Sequence, residues 1–117
     1  MTKKIPAPPP GAGAAGRRLW RSILAAYTLT EVEEVLLRQA VAAADHVAEL
    51  DAVLTAEGLV AARDGVVRMH PALAEVRQQR LVLARLLSAL RLPVEDSPSA
   101  RSQRRGIRGV YSTGVVS

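Results

Sequence analysis

The sequence predicts a mainly α-helical protein in which a short β-hairpin joins two long helices. The apolar residues are chiefly Ala, Leu and Val, with one Trp and no Phe, a composition that suits helices packed on helices. Apolar side chains recur at helical spacing on both sides of residues 59–73. Within that segment, LVAARDGVVRMHPAL, two β-prone runs flank Asp64-Gly65. Asp-Gly between apolar runs is a strong hairpin signal, because both central residues of a type I′ turn need positive φ.

We therefore expect a short N-terminal helix, a long central helix, the hairpin, and a second long helix packed antiparallel on the central one. A chain of 117 residues allows one domain. We place a helical oligomerisation core at 17–92, with the hairpin at 59–70. A disordered basic leader at 1–16 should precede it, because a segment rich in Pro, Gly and Ala buries too little apolar surface to offset chain entropy. A flexible basic tail is expected at 93–117.

The first helix is expected from about Arg17 to Tyr27. Its apolar face is formed by side chains at helical spacing: Leu19, Trp20, Ile23, Leu24 and Tyr27. Three arginines, Arg17, Arg18 and Arg21, lie largely off that face. We interpret Trp20 as a packing anchor of the helix and the arginines as its exposed surface.

The central helix is expected from Thr28–Thr30 to Glu57. Both Thr28-x-x-Glu31 and Thr30-x-x-Glu33 fit a capping box, which leaves the register of the start open. Gly58 supplies the C-terminal stop. A heptad-like seam with small residues in its middle runs along the helix: Leu36, Ala40, Ala43, Val47, Leu50 and Leu54.

This helix is predicted to be about 40 Å long, whereas a compact core of this size would be roughly 30 Å across. We therefore expect neighbouring copies to cover part of the seam. The predicted oligomer interface combines the seam with two leucines of the last helix: Leu36, Ala40, Ala43, Val47, Leu50, Leu54, Leu83 and Leu87.

The last helix is expected to begin at Pro71, where a missing N–H and a fixed φ are tolerated. It should end near Leu92, before Pro93. His70, just before its start, is interpreted as a capping or turn residue. His46, beside the seam, is interpreted as a partly buried structural histidine.

Charge is distributed unevenly along the chain, whose formal net charge is +5. Residues 1–21 carry five basic side chains and no acid, whereas residues 22–71 carry eight acids against three arginines. Residues 72–92 and 93–117 are again net basic. Basic ends around an acidic middle are compatible with a polyanionic partner, and equally with tails that only aid solubility.

The sequence holds no arrangement typical of an active site. Cys is absent and there are only two His, so thiolate metal sites are excluded and no metal or other cofactor is expected. The Gly-rich piece at 11–13 lacks a preceding strand and the Lys-Ser/Thr of a phosphate-binding loop. No apolar run approaches the roughly 18 residues of a membrane span, and no secretory signal is seen. We expect a non-enzymatic cytoplasmic protein without a membrane partner.

Four segments in order resemble a tailed-phage terminase small subunit. They are GRRLWRSILAAY at 16–27, TLTEVEEVLLRQAVAAADHVAELDAVL at 28–54, the hairpin ending in MHPALAE at 69–75, and RQQRLVLARLLSALRLP at 77–93. A short tail with Arg-Gly-Val-Tyr at 108–111 follows. The chain departs from many relatives near Ala40-Val41, where a Cys is expected, but that position belongs to the core.

The resemblance implies a non-catalytic protein of the host cell cytoplasm that assembles into a homo-oligomeric ring. It implies that the protein recognises double-stranded viral DNA for packaging and regulates the ATPase and nuclease of the large terminase subunit. Phosphate-contact candidates come from both basic ends: Lys3, Lys4, Arg17, Arg18, Arg21, Arg101, Arg104, Arg105 and Arg108. The C-terminal tail is expected either to bind DNA or to dock the large subunit.

Two alternatives from other classes stay open at this point. A small helical transcriptional regulator could bind DNA through a helix-turn-helix at the break between residues 27 and 30, although the acidic start of the central helix fits a major groove poorly. A structural head-assembly protein of a phage could share the same helical composition.

Overall fold

The computed structural model of the chain describes residues 4–93. Over this range the element order is α1 (Ala14–Ala26), α2 (Glu31–Glu57), β1 (Val60–Arg63), β2 (Val66–Met69) and α3 (Pro71–Leu90). The predicted fold class, mainly helical with a hairpin before the last helix, is confirmed. The predicted tail beyond Pro93 lies outside the described residues.

The start of α2 is fixed by the second of the two predicted capping boxes. Thr30 is the N-cap residue, and its Oγ1 accepts a hydrogen bond from the Glu33 backbone N–H at 3.2 Å. The Glu33 carboxylate in return accepts from the Thr30 backbone N–H at 2.8 Å. At the other end, Gly58 adopts φ 84° and its N–H donates to the Leu54 carbonyl at 2.8 Å. Both ends of α2 are therefore set by local chemistry that the sequence shows.

The hairpin forms as predicted, around Asp64 and Gly65. Their φ values are 53° and 76°, the positive values that a type I′ turn requires. The two strands are antiparallel, with Val60 paired with Met69 and Arg63 with Val66. This register places the turn directly between paired residues and gives the hairpin two defined faces.

Helix α3 begins at Pro71, with His70 as its N-cap. The His70 Nδ1 accepts a hydrogen bond from the Ala72 N–H at 3.0 Å, which confirms the predicted capping role. Because Nδ1 is the acceptor, the ring proton lies on Nε2, which is 2.7 Å from the Glu57 carboxylate at the end of α2. The helix ends at Leu90, slightly before the predicted Leu92, because Arg91 adopts a left-handed conformation with φ 52°.

Helices α1 and α3 both pack antiparallel on α2 and build two clusters of buried side chains. The larger cluster surrounds the N-terminal half of α2 and consists of Trp20, Leu24, Leu37, Val41 and Leu90. The smaller cluster lies towards the C-terminal end of α2 and consists of Leu54, Ala72 and Val76. Trp20, Leu37 and Val76 have no exposed surface. One chain thus covers α2 along most of its length with its own helices.

The segment before α1 packs on the helices and differs from the disordered leader expected from composition. The buried Trp20 indole donates a hydrogen bond from Nε1 to the Pro6 carbonyl at 2.8 Å, and Ile5 packs against the larger cluster. Helix α1 begins at Ala14, three residues before the predicted Arg17. A buried indole N–H needs a hydrogen-bond partner, and the leader supplies one that composition alone does not indicate.

Candidate nucleic-acid and subunit surfaces

The N-terminus of α1 is held by a carboxylate from the middle of α2. Asp45 accepts hydrogen bonds from the Gly13 and Gly16 backbone N–H groups, each at 2.7 Å. No side chain of α1 caps its own N-terminus, so Asp45 fills that role from another helix and is favoured there by the helix dipole. This contact fixes the position of α1 along α2. The Asp45 carboxylate also supplies the negative charge that the N-terminus of α1 favours.

With α1 held in this way, its arginines form an exposed basic stripe. Arg17, Arg18 and Arg21 are all exposed, whereas Trp20 and Leu24 of the same helix are buried. At 100° per residue, the three arginines fall within about 100° of the helix circumference. Helix α1 carries no acidic residue. We call these three residues the basic stripe, and it is the predicted DNA-contact set that the structure brings together.

Two further contacts relate the leader to the basic stripe. The Arg17 guanidinium donates to the Ala12 carbonyl, so this arginine also holds the leader. Lys4, another predicted DNA contact, is exposed and lies two residues before the Pro6 carbonyl that accepts from Trp20. The remaining predicted DNA contacts lie outside the described residues: Lys3, Arg101, Arg104, Arg105 and Arg108.

The predicted oligomer interface is largely used inside the chain. Of its eight residues, Ala40, Ala43 and Leu54 are buried within a single copy. The others are half-buried: Leu36, Val47, Leu50, Leu83 and Leu87. The heptad-like spacing correctly indicates that other helices approach the seam closely. These helices are α1 and α3 of the same chain. A neighbouring copy would have to meet the chain mainly at other residues.

The hairpin presents one apolar face and one basic face, and both are exposed. Cross-strand partners share a face, as do residues two apart along a strand. The register therefore puts Val60, Ala62, Val67 and Met69 together on one face, and all four are exposed. The opposite face includes Arg63, Val66 and Arg68, which are exposed as well. The two strands contact mainly each other.

Sequence reasoning predicts exposed hairpin strands that can pair with a neighbouring copy, but it missed which residues form their apolar face and the exposed valines at the start of α2. The signal was present in the spacing of apolar residues. Val60 and Ala62 are two residues apart, as are Val67 and Met69, and this spacing marks one apolar face of a two-stranded sheet. On α2, Val32 and Val35 are exposed although they precede the buried Leu37. Their three-residue spacing also places them on one face of the helix.

Histidine and carboxylate side chains are dispersed over the part of the chain that the structure describes. His46 is exposed, in contrast to the half-buried position predicted for it, and lies in a groove with Glu49, Leu50 and Glu75. Within residues 4–93, no group of three or more His, Cys, Asp or Glu side chains is placed to hold a metal ion. No helix in this range is both long and apolar enough to cross a bilayer.

Comparison with known proteins adds no relative to this picture. No family model, curated protein or solved structure matches the chain.

Proposed function

We propose that this chain is a terminase small subunit of a tailed phage. In this role it is a non-catalytic, oligomeric protein that recognises double-stranded viral DNA and regulates the ATPase and nuclease of the large terminase subunit in the host cell cytoplasm. The order helix, long helix, hairpin, helix supports the proposal, because the four segments that carry the resemblance occur in that order. The basic stripe is the observation that carries the DNA-binding part.

The chemistry of the basic stripe suits phosphate contacts along a duplex. Guanidinium groups donate in a fixed fork that matches phosphate oxygens, and their charge persists at any physiological pH. Three of them on one helical face, without a neighbouring acid in α1, attract a polyanion without choosing a sequence. Sequence choice at the packaging site would then need contacts beyond this stripe.

The experiment compares two charge-matched variants of the full chain in DNA binding. The test variant is Arg18→Ala/Arg21→Ala, which leaves Arg17 in place because that side chain also holds the leader. The control variant is Arg77→Ala/Arg85→Ala, which removes two exposed arginines from α3. Affinity for a short duplex is measured by fluorescence anisotropy over a series of salt concentrations.

We expect the test variant to bind more weakly and with a flatter salt dependence. Each phosphate contact contributes about 0.9 to the slope of log K against log salt, so losing two should lower that slope by up to about 2 per bound subunit. The control variant should keep most of the wild-type slope. Equal binding by wild type, test and control would contradict a role for the basic stripe.

A test of the proposed regulation requires the large terminase subunit. The large terminase encoded by the same genome, purified with and without this chain, should show a changed rate of ATP hydrolysis. Absence of a large-terminase gene beside this one would argue against the proposal, as would an unchanged rate at saturating concentrations. Deleting residues 93–117 separates the two roles predicted for the tail: loss of the large subunit with intact DNA binding identifies docking.

The helix-turn-helix regulator is the weaker alternative on the geometry of α2. The helix that would enter the major groove begins with Glu31, Glu33 and Glu34, which repel phosphates. A head-assembly protein would not need the basic stripe. Failure of the duplex-binding experiment with retained self-assembly would favour that reading.

A further inference from the structure

The carboxylate of Asp45 lies where α1 begins, and the arginines of the basic stripe follow directly after that point. We propose that Asp45 is a positioning residue for the DNA contact. It touches no phosphate itself, but it holds the first turn of α1, so that the basic stripe keeps to one helical face. This inference rests on the proposed function, because it concerns the same stripe. It adds that DNA binding requires an acidic side chain of α2.

Asp45 performs from α2 the two functions that a capping box performs within one helix. In a capping box, the N-cap side chain accepts from the N3 backbone N–H, and the N3 side chain accepts from the N-cap N–H. The N-cap of α1 is Gly13 and its N3 residue is Gly16, so neither position has a side chain that could accept. The Asp45 carboxylate accepts from both N–H groups, each at 2.7 Å. One side chain thus replaces both partners of a capping box.

The two glycines admit the carboxylate because they lack a Cβ. A Cβ at Gly13 would lie 2.9 Å from the Asp45 Oδ1, and a Cβ at Gly16 would lie 2.5 Å from the Oδ2. At Gly16 the Val41 Cγ1 would be only 2.7 Å away as well. A larger residue at Gly16 would therefore displace Asp45 or separate α1 from α2. The contact depends on the carboxylate and the glycines together.

The arginines closest to this contact lie before the part of α1 that is held by the core. The first turn, residues 14–16, includes a glycine, which disfavours the helical conformation. Within α1, the side chains that pack on the larger cluster begin at Leu19. Arg18 therefore lies between the Asp45 contact and the cluster, whereas Arg21 lies beyond the first cluster residue. Loss of the Asp45 contact should fray the helix up to about Arg18 and leave Arg21 in place.

The charge of Asp45 and its hydrogen bonds predict opposite effects on DNA binding. A carboxylate near arginines weakens the attraction of the surface for phosphates, so removing its charge alone should strengthen binding. Removing the hydrogen bonds should weaken binding, because a frayed first turn no longer holds Arg18 on the same face as Arg21. The direction of the change therefore separates a positioning role from a purely electrostatic one.

The experiment uses two variants of the full chain that disturb the contact from opposite sides. Asp45→Asn keeps the shape of the side chain but replaces one of the two accepting oxygens by an NH₂ group. Gly16→Ala places a methyl group against the carboxylate and leaves every charge in place. Glu49→Gln is the control, since Glu49 is an exposed acid one turn further along α2 that lines a depression with Asp45. Circular dichroism and the midpoint of urea unfolding verify that each variant is folded under the binding conditions.

Affinity for a short duplex is measured by fluorescence anisotropy over a series of salt concentrations. We expect Asp45→Asn and Gly16→Ala to bind more weakly than wild type. Each should lower the slope of log K against log salt by about 1 per bound subunit, the share of one lost phosphate contact. Glu49→Gln should bind as tightly as wild type, or up to about twofold more tightly. An Asp45→Asn protein that binds as tightly as wild type, or more tightly, would overturn the inference.

A double variant distinguishes positioning from a general loss of folded protein. If Asp45 acts through Arg18, Arg18→Ala should lower the slope in the wild-type background and change it little in the Asp45→Asn background. Equal effects of Arg18→Ala in both backgrounds would contradict the positioning role. Wild-type binding that does not depend on Arg18 and Arg21 contradicts the proposed function itself. Binding that depends on both arginines, together with an unaffected Asp45→Asn protein, contradicts only this inference.

Discussion

The two ends of α2 are packed in different ways. The N-terminal half meets α1, the leader and the end of α3, and it surrounds the fully buried Trp20. The C-terminal end meets only the first part of α3, through the smaller side chains Leu54, Ala72 and Val76. Beyond it the hairpin exposes its large apolar residues. The N-terminal half thus holds the larger buried cluster, although Val32 and Val35 are exposed near its start, whereas the C-terminal end is covered by fewer side chains.

This difference predicts that the two ends of α2 contribute unequally to the stability of the folded chain. Burying apolar surface contributes about 25 cal/mol per Å², so a cluster built around an indole stabilises more than one built around Val and Ala. The exposed hairpin contributes little to the folded monomer by the same measure. Changes near Trp20 should therefore lower the free energy of unfolding more than changes on the exposed surface of the hairpin.

The largest effect is expected from Trp20→Ala. The change removes the biggest fully buried side chain and its hydrogen bond to the Pro6 carbonyl. A Trp-to-Ala change in a core costs about 3–5 kcal/mol of unfolding free energy, a large share of the total for a small domain. Val76→Ala, in the smaller cluster, should cost roughly 2 kcal/mol. Urea unfolding of both variants gives the comparison, and equal losses would contradict the unequal roles of the two ends.

A smaller effect is expected from Gly16→Ala, where α1 crosses α2. A Cβ at this position would lie 2.5 Å from the Asp45 Oδ2 and 2.7 Å from the Val41 Cγ1. In an exposed helix interior, Ala is favoured over Gly by about 1 kcal/mol. The sign of the change in unfolding free energy therefore shows whether this gain or the close contacts of the Cβ dominate. We expect destabilisation by about 1–3 kcal/mol, since overpacking outweighs helix propensity.

Ser22→Ala, at an exposed position of α1, is the control for helix propensity alone and should be neutral or slightly stabilising. The midpoint of urea unfolding measures both variants. A Gly16→Ala protein more stable than wild type would show that α1 does not approach α2 as closely as the Asp45 contacts require.

The features that the sequence predicted correctly are those set by neighbouring residues. The capping box of Thr30 and Glu33, the turn at Asp64-Gly65 and the start of α3 at Pro71 each depend on a few consecutive side chains. The periodicity of apolar residues likewise shows that helices pack along α2. These signals are enough to predict the order and type of the elements.

The features that the sequence did not predict depend on contacts between distant residues. Asp45 is 32 residues from Gly13 and 29 from Gly16, and neither glycine indicates which carboxylate will approach it. The seam posed the same difficulty: its spacing indicates a partner helix near Ala40 and Ala43, but not whether that helix belongs to the same chain. For the predicted DNA contacts, the sequence shows only that the three arginines of α1 share one helical face.

The smallest effect is expected from His70→Ala, and it tests the hairpin end directly. His70 caps α3 and reaches the Glu57 carboxylate at the end of α2, so it joins the two helices that flank the hairpin. Losing a cap costs about 0.5–2 kcal/mol. Thr30→Ala removes the cap at the other end of α2 and is the matched control.

Hydrogen exchange followed by mass spectrometry distinguishes the two cap variants. His70→Ala should speed exchange across residues 59–70, because the strands contact mainly each other and depend on the helix ends that hold them. Thr30→Ala should affect only the first turn of α2, where Leu37 and the larger cluster hold the following turns. Unchanged exchange in the hairpin of His70→Ala would show that the strands are held by something other than the ends of α2 and α3. If exchange does rise there, the hairpin opens as a unit of its own while the helices stay closed, because its strands contact mainly each other.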